Sequence, residues 1–369
     1  MGRALDTLSI KGFKSIQEMD RLPLTKLNVL IGANGAGKSN FVDFFRMLRA
    51  MSQEGLQTFI ESGGGADGFL FQGPTLTREI WAYMAFGKNE YGFTMQPNVA
   101  GKMIIKNECA RYTGAGGLEY YGGGRTESLI RSWKNMQSTW GSYYGKEHYV
   151  NEAISSWIVY HFHDTSPTSL MRRDHSVHNW RELLPDAQNI AAFLYKMKEL
   201  SGVRYQRIRE TIQQVAPFFD DFLLEPETKG PNSLIRLQWR QKGNAFPFQP
   251  WQFSDGTIRF ICLATALLQP NPPSTVLIDE PELGLHPHAL GVLGQLVNET
   301  SDRTQVIIST QSAPLLDSFL PEHVIVVDRW KGASRFQRLD TNTYAHWLEN
   351  FDVGELLQKN VIEAGPRYE

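Results

Sequence analysis

Residues 26–39 read KLNVLIGANGAGKS, and the fold turns on whether these glycines form an ordinary surface turn or a cradle for phosphate. Apart from Asn28, the stretch from Leu27 to Ile31 is a continuous apolar run, the pattern of a strand buried on both faces. Gly32 to Ser39 then fits G-x-x-x-x-G-K-[ST]. In NFVDFFRMLRAMSQ, residues 40–53, Phe41, Phe44, Phe45, Leu48 and Met51 recur at helical spacing. Strand, glycine turn and helix in this order give each residue type a task. Glycines let backbone N–H groups face a phosphate, and the helix N-terminus adds positive potential. Lys38 is expected to reach the β- and γ-phosphates of ATP, and the Ser39 hydroxyl to hold Mg²⁺. Asn34, Gly35, Gly37 and Asn40 complete the expected nucleotide lining. A glycine-rich turn with an incidental lysine is the plainer reading, and the flanking strand and helix weigh against it.

A second stretch supplies the other half of such a site. TVLIDE, residues 275–280, is an apolar strand ending in two carboxylates. Asp279 is expected to hold Mg²⁺ through its water shell, and Glu280 to orient and polarise an attacking water. An acidic turn after a buried strand is common by itself; its pairing with the first motif gives it weight. Between the two lies FSDGT, residues 253–257, a serine–glycine turn opening the apolar helix TIRFICLATALL. Such a turn can simply cap a helix, or it can present hydroxyl and N–H groups to a phosphate.

The order Walker A, serine–glycine turn, Walker B resembles the ABC-type ATPase head, in which the turn is the signature motif. More closely, the chain resembles the RecF/SMC-like ATPases, including the heads of OLD-type nucleases. The pieces that carry this are IKGFKSI (10–16), GANGAGKSN (32–40), FHDTS (162–166), FSDGTIR (253–259), LIDEPELGLHP (277–287) and IISTQSAPLLD (307–317). The resemblance implies a P-loop α/β head with a mixed parallel sheet, an antiparallel β subdomain and a helical lobe. It also implies a homodimer or higher homo-oligomer whose heads sandwich ATP, with Ser254 and Gly256 acting in trans. Gln311 stands at the switch position that is commonly histidine, and is expected to act on the γ-phosphate or the water. Glutamine carries no titrating charge, so hydrolysis is expected to vary little between about pH 6 and 8, where histidine would titrate. Asp255 replaces the first signature glycine; beside a phosphate it is repulsive unless Arg259, one helical turn on, compensates. Gln72 and Gln96 are candidates for the family's Q-loop glutamine. The resemblance also assigns His286 and His288 to a dimer-facing segment after Walker B, and FHDTS to a link between lobes.

The domain reading is a single split head over 1–369. It comprises an N-terminal lobe (1–112), an insertion and helical lobe (113–250) and a C-terminal lobe (251–369). In the first lobe LSIKGF reads as a strand and KSIQEMD as a loop; REIWAYMAFG, YGFTMQ and KMIIKNECARYT read as antiparallel strands. The Gly/Tyr-rich run 113–148 reads as a mobile surface insertion, with Tyr120, Tyr121, Trp133, Trp140, Tyr143 and Tyr144 available to stack on bases, anchor a partner or pack half-buried. SWIVYHFHD and SLIRLQWR read as strands, residues 186–215 as helical, and the last third alternates strand and helix, the mark of a parallel sheet. His161 and His163, with Asp164, His175 and His178 near in sequence, fit no standard metal-ligand spacing. Arg172, Arg173 and Arg181 could form a basic patch, or a salt-bridged face.

Two cysteines, Cys109 and Cys262, make neither a disulfide framework nor a zinc site. The formal charge of −2 gives no global attraction to nucleic acid or membrane. No apolar run approaches membrane-spanning length and the N-terminus lacks a signal-peptide layout, so a cytoplasmic location without a membrane partner is expected. OLD-type relatives carry a Toprim nuclease domain; residues 312–369 are too few for one. The expected output therefore lies on a separate effector, a nuclease or toxin in phage defence. A stand-alone DNA-binding repair ATPase of RecF type is the alternative, with DNA as the further partner. A transporter subunit fits the SDGT turn and HDTS segment poorly, and Glu280 speaks against a non-hydrolysing dimeriser.

Overall fold

The computed structural model describes residues 3–114, 116–136, 144–229, 232–359 and 361–362. The first half runs β1 (Thr7–Phe13), β2 (Ile16–Pro23), β3 (Leu27–Ile31), α1 (Lys38–Ser52), α2 (Leu56–Ser62), β4 (Ile80–Phe86), β5 (Asn89–Pro97), β6 (Met103–Tyr112), β7 (Glu119–Tyr120), α3 (Lys146–Ser155) and β8 (Ile158–Tyr160). The middle holds β9 (His175–Ser176), α4 (Ile190–Leu200), α5 (Gly202–Val215), β10 (Phe219–Leu223), β11 (Glu227–Lys229), β12 (Asn232–Ile235) and β13 (Gln238–Gln241). The last third runs α6 (Asp255–Leu268), β14 (Thr275–Asp279), α7 (Pro287–Ser301), β15 (Gln305–Thr310), α8 (Ala313–Leu316), β16 (Val324–Trp330), β17 (Ala333–Arg338), α9 (Thr341–Leu348) and α10 (Val353–Gln358).

Two six-stranded sheets organise the molecule. One has the order β17-β16-β3-β15-β14-β8, parallel except for β17; the other is antiparallel, β2-β1-β4-β5-β6-β7. Every residue of β3, β14 and β15 is buried, because both faces of the parallel sheet are covered. Alternation decides which cover each side chain meets. Leu30, Leu277, Ile307 and Ile325 join the apolar cluster of α1 and the antiparallel sheet. Val29, Val276, Ile278, Val306 and Ile308 join the cluster of α6 and α7. Helix α1 thus sits between the sheets, with Phe41, Phe44, Phe45 and Met47 buried. The register pairs Asp279 with Ser309 and Thr310 with Ile31, so the C-terminal ends of β14, β15 and β3 share one edge, where open α/β sheets carry ligands.

Several local expectations need correction. Of KSIQEMD only Lys14 and Ser15 form a turn; Ile16–Asp20 belong to strand β2. β2 buries Ile16, Met19 and Leu22 at a spacing of three, the Met19–Leu22 step lying across a bulge between Leu8 and Ile10, and this hides the strand's alternation. SLIRLQWR is two strands: the chain turns at Arg236, whose carbonyl accepts from the Gln238 N–H at 2.9 Å. β12 joins β11 and β9, and β13 joins β10. The 113–148 run is anchored where it is described. Strand β7 extends the antiparallel sheet, Trp133 is 2% exposed against Tyr91 and Tyr121, and the Tyr121 hydroxyl donates to Glu147. Trp140 and Tyr143 lie outside the described residues; Tyr120 and Tyr144 are exposed. The helical reading of 186–215 resolves into α4 and α5, broken at Ser201.

Candidate functional site

The loop from Gly32 to Gly37 joins β3 to α1. Gly35 and Gly37 have φ of +78° and +117°, a region closed to most side chains. A Cβ on Gly37 would also lie 2.0 Å from the Ser334 hydroxyl. The Ser334 hydroxyl donates to the Ala36 carbonyl at 2.5 Å and is hydrogen-bonded to the Ser15 hydroxyl at 2.7 Å, so β17 and the β1–β2 turn hold the loop from outside. Lys38 is 4% exposed and folds back onto the loop, donating to the Gly32 carbonyl at 2.6 Å and the Ala33 carbonyl at 3.2 Å. Burial lowers its pKa, while Glu280, Glu282 and Asp279 pull it up; the ammonium and three carboxylates therefore share one field. Asn34 and Ser39 are exposed. Asn40 instead donates to Ser15 at 2.6 Å, which makes it a support of the loop.

At the end of β14, Asp279 is 7% exposed, and burial raises its pKa. Its Oδ2 lies 3.9 Å from Arg46, and its Oδ1 is buried without a hydrogen-bond partner. A buried carboxylate oxygen with an open valence suits a hard cation that takes oxygen ligands, and the exposed Ser39 hydroxyl at the head of α1 is a second oxygen of that kind. Ser39 and Asp279 therefore fit Mg²⁺. Glu280 has φ of +45°, a costly conformation for a residue with a Cβ. Its Oε1 accepts from the Gln311 amide at 2.6 Å, and the Gln311 N–H donates to Glu282 at 2.8 Å. The structure thus brings Glu280 and Gln311 together. Glu282, whose pKa burial raises, anchors the switch segment through the Gln311 N–H, a role that its place in LIDEPELGLHP does not announce.

The 254–257 turn occupies a different neighbourhood. The Ser254 Oγ caps α6, accepting from the Thr257 N–H at 3.1 Å. Gly256 is needed for packing: a Cβ there would lie 2.4 Å from the Gly284 carbonyl oxygen, in the segment after Glu280. Burial lowers the Arg259 pKa and the Asp255 charge pulls it up, but Arg259 makes no direct ion pair with that carboxylate. The Arg259 guanidinium donates to the backbone carbonyls of Phe162, Leu283 and His163. Arg172 instead pairs with Asp255, at 2.9 Å.

Other candidates fall into place around these motifs. His163 contacts the Asp279 carbonyl at 2.9 Å. With Lys14, Asp43, Arg46 and His161 it lines a cavity of about 510 Å³ beside Asp279. Among the described residues no group of three or more His, Cys, Asp or Glu side chains is placed to hold a metal ion. Gln72, at φ +53°, sits beside the β16–β17 turn at Gly332, whereas Gln96 is an exposed residue of β5. His286 caps α7, and His288 contacts the Gln214 carbonyl. No helix among the described residues is long and apolar enough to cross a membrane.

Comparison with known proteins agrees with this geometry. An Smc head bound to the C-terminal winged-helix domain of ScpA superposes with a TM-score of 0.52 at 15% identity, covering 93% of this chain and 99% of that one. A second Smc head, with an extended coiled coil and bound to the C-terminal domain of ScpA from Pyrococcus furiosus, gives 0.51 at 14% identity, covering 94% and 98%. At such identities the likeness shows the fold, a P-loop ATPase head of SMC type. No curated protein matches the sequence. Residues 27–83 and 134–318 match the family described as "AAA domain, putative AbiEii toxin, Type IV TA system". With both phosphate-site motifs inside those residues, the chain is a P-loop NTPase and belongs to that AAA-domain family.

Proposed function

We propose that the protein hydrolyses ATP between two copies of itself and uses that cycle to regulate a separate effector, a nuclease or toxin. The observation that carries the catalytic part is the Glu280–Gln311 pair, a strained carboxylate held at 2.6 Å by an amide on the neighbouring strand end. Glu280 takes the proton as water attacks the γ-phosphate, and Gln311 keeps the carboxylate turned toward that water. Lys38 exchanges its loop carbonyls for phosphate oxygens. Ser39 and Asp279 would hold Mg²⁺, which when bound would supply positive charge against the phosphates. In the partner copy Ser254 and the first N–H groups of α6 face the γ-phosphate. The effector reading draws on the family's toxin–antitoxin description and on Smc heads of this fold that bind a second protein, ScpA.

Phosphate release from Mg-ATP by the purified chain tests this. Wild type is expected to turn over, Lys38→Ala to lose both binding and turnover, and Glu280→Gln to bind ATP yet hydrolyse about 100-fold more slowly or worse. Unchanged turnover in Glu280→Gln would remove Glu280 from the chemistry.

A further inference from the structure

Arg172 is 5% exposed, yet its guanidinium holds four acceptors. Nε donates to the Thr165 carbonyl at 3.0 Å, Nη1 to the carbonyls of Pro250 at 2.6 Å and Phe253 at 3.1 Å, and Nη2 to Asp255 Oδ1 at 2.9 Å. We infer that Arg172 is the positioning residue of the 254–257 turn, and that Asp255 is its anchor and not a phosphate-facing group. The inference rests on the ATP-sandwich reading above.

The geometry argues it in three steps. First, a buried guanidinium without a counter-charge is strongly unfavourable. Asp255, whose side chain is 68% exposed against 4% for Arg172, supplies that charge from the rim. This accounts for a carboxylate where the resemblance expects glycine. Second, the two carbonyls at 250 and 253 lead straight into Ser254. One planar fork therefore fixes the approach of the chain, its last carbonyl and the first residue of α6 together. A lysine ammonium is a point charge and cannot hold these directions at once. Third, a free Asp255 carboxylate at the start of α6 would repel an incoming phosphate. Drawn onto Arg172, it leaves the Ser254 hydroxyl and the α6 N–H groups as the face the phosphate meets. The fourth acceptor, Thr165, belongs to the 162–166 strap, whose His163 touches the Asp279 carbonyl. The turn's position is therefore referred to the strand end that carries Asp279.

A positioning role in trans makes a prediction that a general stabilising role does not. In Arg172→Lys, a fluorescent ATP analogue should bind the protomer's own Lys38 loop within about twofold of wild type. The ATP concentration for half-maximal hydrolysis should rise roughly tenfold, the scale of one lost charge-assisted hydrogen bond. Asp255→Ala, at an exposed side chain, should shift in the same direction and serves alone if Arg172→Lys fails to melt cooperatively. Mixing either variant with Lys38→Ala should restore hydrolysis, because the variant's intact loop then meets an intact turn from the other chain. Loss of analogue binding by the variant itself, or a mixture that stays inactive, overturns the assignment. Ser254→Arg mixed with Lys38→Ala is the reference pair. If that pair recovers and the Arg172 pair does not, this inference alone fails. If the reference pair also stays inactive, the sandwich reading fails with it.

Discussion

Gly256→Ala sets two known effects against each other at one atom. Alanine is the better helix former, by about 1 kcal/mol in a helix interior, and Gly256 lies in the first turn of α6 without a positive φ, so propensity alone favours the substitution. The added Cβ would, however, sit 2.4 Å from the Gly284 carbonyl oxygen. Carbon–oxygen contacts are comfortable from about 3.3 Å, so roughly 0.9 Å must open between two backbone segments, and no side-chain rotation can provide it. Such overpacking costs about 1–3 kcal/mol. The clash wins, and the net change is expected to be a loss of about 0–2 kcal/mol. The functional loss is expected to be larger. A misplacement near 1 Å in a catalytic arrangement can cost about 100-fold, and the shift falls on both the α6 N-terminus and the segment following Glu280. Thermal melting and phosphate release on the same preparation should therefore show a melting temperature within a few degrees of wild type and turnover reduced about 10- to 100-fold. Wild-type turnover in Gly256→Ala would refute the argument that this contact sets the site. A collapse of melting temperature would refute the claim that the segments can move apart locally.

Other expectations follow from the same distances. Gln311→Ala should slow hydrolysis roughly tenfold through loss of the hydrogen bond to Glu280 while leaving ATP binding intact. Wild-type turnover should stay flat across about pH 6 to 8, and a steep fall would assign the chemistry to a titrating group other than the glutamine. Burial holds the His323 pKa below its ordinary 6.5, so the unfolded chain binds the proton first as pH drops. Stability is then present above that value and lost below it, and His323→Gln should show a smaller difference in melting temperature between about pH 7.5 and 5.5. Burial also pushes the Cys109 thiol up to about 11 and the Cys262 thiol higher still. A thiol reagent should label neither near pH 7.5 until denaturant is added; rapid labelling of the native chain would contradict their burial.

The parallel sheet was legible because its strands are covered on both sides, so TVLID and QVIIST appear as unbroken apolar runs. The loop at Gly32–Ser39 was legible because phosphate chemistry restricts residue type at fixed spacing. Strand β2 was hidden because it buries every third residue, Ile16, Met19 and Leu22, with a bulge opposite the last step. The split of β12 from β13 depends on which sheets lie nearby, information that eight residues do not carry. Trp133 is core because β5 and α3 offer it a pocket, and nothing in its glycine-rich surroundings announces that. Arg172 was invisible as a partner of Asp255 because 83 residues separate them, whereas the charge of Arg259, one helical turn on, is legible from sequence proximity.

The central claim is that ATP closes two copies on each other through Lys38 of one and Ser254 of the other. Light scattering of Glu280→Gln, with and without Mg-ATP, measures this directly. The account predicts a mass near 41.9 kDa for the chain without nucleotide and twice that with it, the increase abolished by Lys38→Ala or Ser254→Arg. A mass that ignores nucleotide, or a doubling that survives Ser254→Arg, would contradict the sandwich and leave the 254–257 turn as a helix cap.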